Sequence, residues 1–377
     1  MKRALYDQIA TDLSKKMVFL TGPRQAGKTT LSQLLLAAKP GGQYLNYDVA
    51  EDRSIISAGT WSRRAPLLVL DEIHKMPRWK SWLKGVVDGR MASQQILVTG
   101  SARLDTFRQT GDSLAGRFFS LRLHPFSVRE WCEQTGAEPE AALTLLLERG
   151  GFPEPMLATT DVDAQRWRRQ YFDGLVRNDV LEFSRLQEVG TIRLLADMLR
   201  SRVGSPLSLA SIARDLHLSQ PTLAKYLAIL EALFIVFIVR PWHRNVARSI
   251  LQAPKVYFYD SGLVIGNDGL RFENLVACSL LKHVQWLHDG LGIEADLHYL
   301  RTKDGAEVDF AVSQAGTLSD LVECKLSDAK PHRALTRFAS EWPGARATQL
   351  VRDLRQPLDV TGIAVQAAAP WLMALAA

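Results

Sequence analysis

A chain of 377 residues exceeds what one hydrophobic core usually serves, so two or three domains are expected. Its 47% hydrophobic and 23% charged residues exclude a disordered or low-complexity protein, and a net charge of +6 permits a nucleic-acid partner without establishing one. Cys132, Cys278 and Cys324 form no CxxC pair and have no histidine at zinc spacing, which excludes a zinc cluster and reads as reduced thiols in a cytoplasmic protein.

Residues 1–16, MKRALYDQIATDLSKK, contain no apolar run of the signal-peptide kind and read as an amphipathic helix. Next comes MVFLTGPRQAGKTTL, an apolar strand running into Gly22, Pro23, Arg24, Gln25, Ala26, Gly27, Lys28 and Thr29, with Thr30 following on a helical run. The spacing fits G-x-x-x-x-G-K-[ST] in its strand–loop–helix setting. Glycines at such a turn let successive N–H groups curl around phosphates, and the helix N-terminus adds its positive end. Lys28 is expected on the β- and γ-phosphates of ATP and Thr29 on Mg²⁺.

The strand in APLLVLDEIHKMP ends in Asp71 and Glu72, at the sheet edge where open α/β folds place their chemistry. Asp71 is expected to support Mg²⁺ and Glu72 to orient the attacking water. QQILVTGSARLD is a further strand, after which Ser101 is placed to sense the γ-phosphate. Arg117 stands before the strand FFSLRL. It reads either as an arginine offered to a neighbouring subunit's nucleotide or as a salt bridge at a strand edge.

After Arg129 the pattern turns helical, interrupted at Gly150, Gly151 and Pro153. Arg166, Arg168, Arg169 and Arg177 lie on an amphipathic helix that reads as a solvated face or a phosphate-contacting one. Residues 207–231 have helix-turn-helix form with Ser219 as N-cap, and LFIVFIVRPW and KVYFYD would follow as a wing. In a DNA reader Gln220, Thr222 and Lys225 would reach base edges and Arg244 and Arg248 the phosphates. The run LFIVFIV at 233–239 is too short to cross a bilayer, and no membrane partner is expected.

The last third reads as a helix, RFENLVACSLLKHVQWL, then strands ADLHYLRT, AEVDFAVS and LSDLVECKLS, the last two joined through QAGT. Helix PHRALTRFASEW and strand ATQLVRD follow. Asp309 and Glu323 would converge at one end of the hairpin, where two carboxylates can hold Mg²⁺ or Mn²⁺. Lys325 shares the face of Glu323, and Glu273 would complete the acidic set, or simply favour the helix dipole.

GPRQAGKTTL, LVLDEIHKMP, TGSA, AGRFFSLRLHPFSVREW, GGFPEPM, YFDGLVRNDV and the YFYDSGL, RFENLV, AEVDF and VECK segments together resemble a family of prokaryotic AAA-type ATPases. The resemblance implies an α/β protein: a P-loop AAA-type ATPase core at 1–135, a helical region at 136–205, a winged helix at 206–260 and a PD-(D/E)xK nuclease-like domain at 261–377. It implies ATP and Mg²⁺ as cofactors and a homo-oligomer, with a hexamer as one arrangement. The leading expectation is an ATP hydrolase acting on duplex or branched DNA. Two alternatives stand beside it: a nucleotide switch read by a protein partner, and a nuclease licensed by ATP.

Overall fold

Runs that are apolar up to a polar last residue, such as MVFLT and LLVLD, can bury both faces of a strand, and in the computed structural model they do so within a parallel sheet. The structure describes residues 1–100, 114–180, 186–243 and 253–376. Ser101, Arg244 and Arg248 lie outside the described residues. The chain divides into two units, Met1–His124 and Pro125–Ala377.

The first unit runs α1 (Tyr6–Leu13), β1 (Met17–Thr21), α2 (Lys28–Ala37), β2 (Gln43–Asn46), α3 (Ala50–Ala58), β3 (Leu67–Asp71), α4 (Trp79–Asp88), β4 (Gln95–Thr99) and β5 (Phe118–Arg122). The strand order is β2-β3-β4-β1-β5 and every pairing is parallel, so all five strands end on one edge. β4 separates β1 from β3. Thr99 is therefore in register with Asp71 on one side and Leu20 on the other. On one face Met17, Phe19, Leu68, Leu70, Ile96 and Val98 pack with Trp79, Leu83 and Val87. Those last three recur four residues apart along α4, which gives the helix one apolar stripe. A fully buried leucine such as Leu83 contributes about 1.5–3 kcal/mol, and these contacts fix the sheet edge that carries the site.

The second unit begins with a helical stretch: α5 (Val128–Thr135), α6 (Pro139–Arg149), α7 (Pro153–Leu157), α8 (Asp161–Gly174) and α9 (Leu186–Leu199). α6 stops at Gly150, whose φ is 70° and whose added Cβ would fall 1.9 Å from Asp260 Oδ1. Phe152, Trp167 and Tyr171 form an aromatic cluster, with Trp167 and Tyr171 stacked at 4.7 Å between centroids. Arg168 is not on a solvated face: it pairs with buried Asp260 at 3.2 Å and donates to Arg149 O. α10 (Leu209–Asp215) and α11 (Gln220–Ala232) follow, each capped by a serine, Ser208 and Ser219.

β6 (Val236–Pro241) and β7 (Lys255–Phe258) pair antiparallel, and then come α12 (Asp268–Leu291), β8 (Ala295–Arg301), β9 (Glu307–Gln314), β10 (Thr317–Lys325), α13 (Arg333–Glu341), β11 (Arg346–Val351), β12 (Leu358–Val360), β13 (Ile363–Ala367) and α14 (Ala368–Met373). All eight strands form one sheet in the order β12-β13-β11-β10-β9-β8-β6-β7. β8, β9 and β10 are an antiparallel meander, and α13 carries the chain back so that β11 lies parallel to β10. The two-residue turn between β9 and β10 takes positive φ at Ala315 and Gly316, 48° and 77°, as tight hairpins require. β6 and β7 pair as the hairpin expected after α10 and α11, and the end of β6 joins them to β8. Their residues are almost all buried.

Candidate functional site

Gly22 leaves β1 at φ 141°, Gln25 sits at 60° and Gly27 caps α2 at 98°. A Cβ on Gly22 would lie 2.3 Å from Leu123 O, so no other residue fits this turn without moving the backbone. The loop is braced from below by buried Arg3, which donates to Ala26 O at 2.7 Å and His124 O at 2.5 Å. Lys28 opens α2 and folds back, its ammonium donating to Gly22 O at 2.8 Å and Pro23 O at 2.6 Å. Burial lowers its pKa to about 8, partly opposed by Glu72 and Asp71.

At the neighbouring strand ends Asp71 accepts from Thr99 Oγ1 at 2.6 Å and from the Tyr44 hydroxyl. The same hydroxyl lies within hydrogen-bonding reach of Thr29. Burial, followed by the Asp71 carboxylate, raises the Tyr44 pKa, so the phenol keeps its proton and stays a donor. Glu72 adopts φ 56°, a strained value for a non-glycine residue, and its N–H donates to Thr99 O at 3.0 Å. Glu72 Oε2 is buried without a hydrogen bond among the described residues, although Lys75 Nζ and His74 Nε2 stand 3.2 and 3.6 Å away.

This chemistry fits a nucleotide with Mg²⁺. The loop has the glycine-dependent turns of an anion cradle, and two carboxylates, Asp71 and Glu72, stand at the neighbouring strand end, Asp71 holding the Tyr44 hydroxyl. Arg117 lies elsewhere on the unit, with Nε and Nη2 on the two oxygens of Asp88 at 2.9 and 3.3 Å. Thr99 opens the TGSA segment, although Ser101 is the residue given a role there. Tyr44, in the strand QYLN, carries no motif.

In the second unit Asp309 and Glu323 do come together: Asp309 N donates to Glu323 Oε2 at 3.3 Å, and Asp309 Oδ2 accepts from Cys324 N at 2.9 Å. Lys325 Nζ is 2.6 Å from Glu323 Oε1, and His332 Nδ1 is 3.1 Å from the same oxygen. Burial and the Asp309 carboxylate raise the pKa values of both Glu323 and Glu273. One residue in this group carries no mark in the sequence. Lys255, fully buried, places its ammonium 2.7 Å from Glu307 Oε1, 3.5 Å from Glu273 Oε1 and 3.8 Å from Asp309 Oδ1. Glu273 also accepts from the Tyr257 hydroxyl at 2.7 Å. These carboxylates therefore do not fit a divalent ion as they stand, and among the described residues no three His, Cys, Asp or Glu side chains are grouped to hold a metal.

Of the base-reading candidates, Gln220 is exposed at the start of α11. Thr222 is drawn into the helix cap, its hydroxyl 2.8 Å from Ser219 Oγ. Lys225 Nζ lies 3.1 Å from both oxygens of Glu188. The three cysteines are all free, and among the described residues no helix is long and apolar enough to cross a membrane.

Comparison with known proteins divides the chain into three. Residues 14–132 match the AAA domain family, residues 140–272 a domain of unknown function (DUF8612) and residues 268–358 a second one (DUF4143). The chain thus carries a P-loop ATPase domain of the AAA kind followed by a DUF4143 domain. Uncharacterized proteins of Mycobacterium tuberculosis and Mycobacterium bovis are each 28% identical over 369 residues, covering 93% of this chain and 80% of theirs. An uncharacterized protein of Haemophilus influenzae is 23% identical over 332 residues, covering 78% of this chain and 79% of its own. Among solved structures, a Walker-type ATPase of Pyrococcus abyssi is 13% identical with a TM-score of 0.44, covering 68% of this chain and 93% of that one. A Thermotoga maritima RuvB variant is 17% identical with a TM-score of 0.32, covering 62% and 88%.

Proposed function

We propose that the chain is a Mg²⁺-dependent ATP hydrolase. The observation that carries this reading is that Lys28, held by two neutral carbonyls at the mouth of the glycine loop, stands on the same sheet edge as Asp71, which holds the hydroxyls of Tyr44 and Thr99. On ATP binding Lys28 would leave Gly22 O and Pro23 O for phosphate oxygens, while the N–H groups of residues 22–29 cradle the phosphates. Thr29 and Asp71 would hold Mg²⁺, which supplies charge neutralisation on the transferring phosphoryl group. Glu72 would accept a hydrogen bond from the attacking water and orient it, and Thr99 would keep Asp71 aimed. Arg117 would leave Asp88 for the nucleotide of a neighbouring copy in a homo-oligomer. Substituting Glu72→Gln should leave ATP bound and lower turnover about 10²-fold. Unchanged turnover would overturn its assignment.

The work done with ATP is proposed to act on DNA, supported by the +6 charge and by the paired helices α10 and α11. A nucleotide switch read by a protein partner is the second reading, favoured by the engagement of Thr222 and Lys225 within the chain. ATP turnover measured at low salt with single-stranded, duplex and forked DNA separates the two, because phosphate contacts are strongest there. Stimulation by DNA supports the first; turnover indifferent to every DNA at low salt removes it.

A further inference from the structure

The carboxylates of the C-terminal sheet gather around an ammonium. Glu307 accepts from Arg301 at 2.5 Å with one oxygen and faces Lys255 at 2.7 Å with the other. Glu273 and Asp309 approach Lys255 from α12 and β9, and the Tyr299 ring centroid is 5.2 Å from its Nζ. Burial alone would lower the pKa of this lysine, and Glu273, Asp309 and Glu307 together more than reverse that, so it stays charged. Behind Glu273 there is no slack: a Cβ on Gly204 would lie 2.6 Å from its Oε1.

Lys255 also cannot withdraw by a small backbone shift. It pairs with Val239 of β6 on one side and bridges Pro206 on the other, and Leu207 N donates to Pro254 O at 2.7 Å. Its residue lies in the part of the chain that matches DUF8612, whereas its three carboxylate partners lie in the part that matches DUF4143. The cation is supplied by one segment and its anions by the next.

We propose that Lys255 is the resident cation of this acidic cluster, an ammonium holding the place that Glu273, Glu307 and Asp309 would otherwise offer to a divalent ion, so that the native domain takes up no metal there. Moving a charge of this kind out of a group of buried carboxylates leaves them uncompensated, so a metal could enter only once the ammonium is gone. The cluster is then a latent Mg²⁺ or Mn²⁺ site with oxygen ligands, exposed by one substitution.

The test is a Mn²⁺ titration of the full chain without nucleotide, read by calorimetry and by electron paramagnetic resonance. Wild type and Asp309→Asn should bind Mn²⁺ alike. Lys255→Ala should gain one site per chain, at least tenfold tighter than any wild-type binding, and lose it again in the Lys255→Ala, Asp309→Asn double variant. Mn²⁺ should raise the melting temperature of Lys255→Ala and leave that of wild type unchanged. A wild-type Mn²⁺ site that Asp309→Asn removes would overturn the proposal, and so would a folded Lys255→Ala that gains none. If Lys255→Ala does not fold, Lys255→Met takes its place, and the comparison of wild type with Asp309→Asn decides on its own.

Discussion

Lys28 and Lys255 are both buried beside carboxylates, yet Lys28 rests on two neutral carbonyl oxygens whereas Lys255 is enclosed by three carboxylates. The consequence for their charge is opposite: Lys28 is lowered to about 8, Lys255 is raised. A lysine on carbonyls keeps its strongest interaction in reserve, because an anion arriving from solvent offers more than the carbonyl it replaces. A lysine already saturated by anions has nothing left to offer a ligand. Burial with carboxylates nearby does not by itself mark a functional lysine; the charge of the atoms it touches does.

That contrast can be broken at either lysine. Lys255→Met removes the cation and leaves its carboxylates buried, which should cost about 3–5 kcal/mol in the second unit. Lys325→Met should cost less, about 1–3 kcal/mol, because its side chain is 29% exposed and His332 also faces the buried Glu323 carboxylate. Chemical denaturation followed by circular dichroism measures both, and equal losses would mean that Lys255 is no more a structural cation than Lys325. Lys28→Ala should do the reverse, leaving the fold intact and lowering ATP turnover by about 10²–10³-fold. Turnover that survives the substitution would take the nucleotide site out of the first unit's loop.

The low pKa of Lys28 sharpens the comparison further. The free protein holds this lysine charged below about pH 8 and loses the charge above it, while bound phosphates favour the charged form. ATP affinity should therefore fall as pH rises from 7 to 9, by up to about tenfold per unit once above pH 8, with a proton taken up on binding. Lys28→Arg should flatten that dependence, since a guanidinium does not titrate in this range. Isothermal titration in buffers of different ionisation enthalpy reads both the affinity and the proton. A flat wild-type profile would mean that Lys28 is not the group that meets the phosphates.

The two sites were not equally visible in the sequence. The loop from Gly22 to Thr29 is contiguous, and Gly22 and Gly27 sit where its backbone takes positive φ, so its shape could be read in order. Asp71 and Glu72 were legible because a fully apolar run predicts a buried parallel strand, whose end then has a known place. Lys255 was not, since it opens KVYFYD like any charged residue at a strand start, and its partners come from α12 and β9. The join of β6 to the C-terminal sheet was not legible for a related reason. An apolar run predicts burial but not which strands supply it, and here β6 has β8 beside it as well as β7. Long-range pairing, which local pattern does not encode, is what the reading lacked.

Tyr44 offers the smallest effect and the finest test of the nucleotide site. Its hydroxyl donates to Asp71, so in the nucleotide-free protein it occupies an oxygen expected to serve Mg²⁺. If that oxygen turns to the ion, the hydrogen bond must be given up, and that loss opposes binding by about 0.5–1.5 kcal/mol. Tyr44→Phe removes the cost while keeping the ring. The concentration of Mg²⁺ that half-saturates ATP turnover should drop about two- to tenfold, with maximal turnover little changed. A rise in that concentration would give the hydroxyl the opposite task, orienting Asp71 in the Mg²⁺-bound state instead of competing for it.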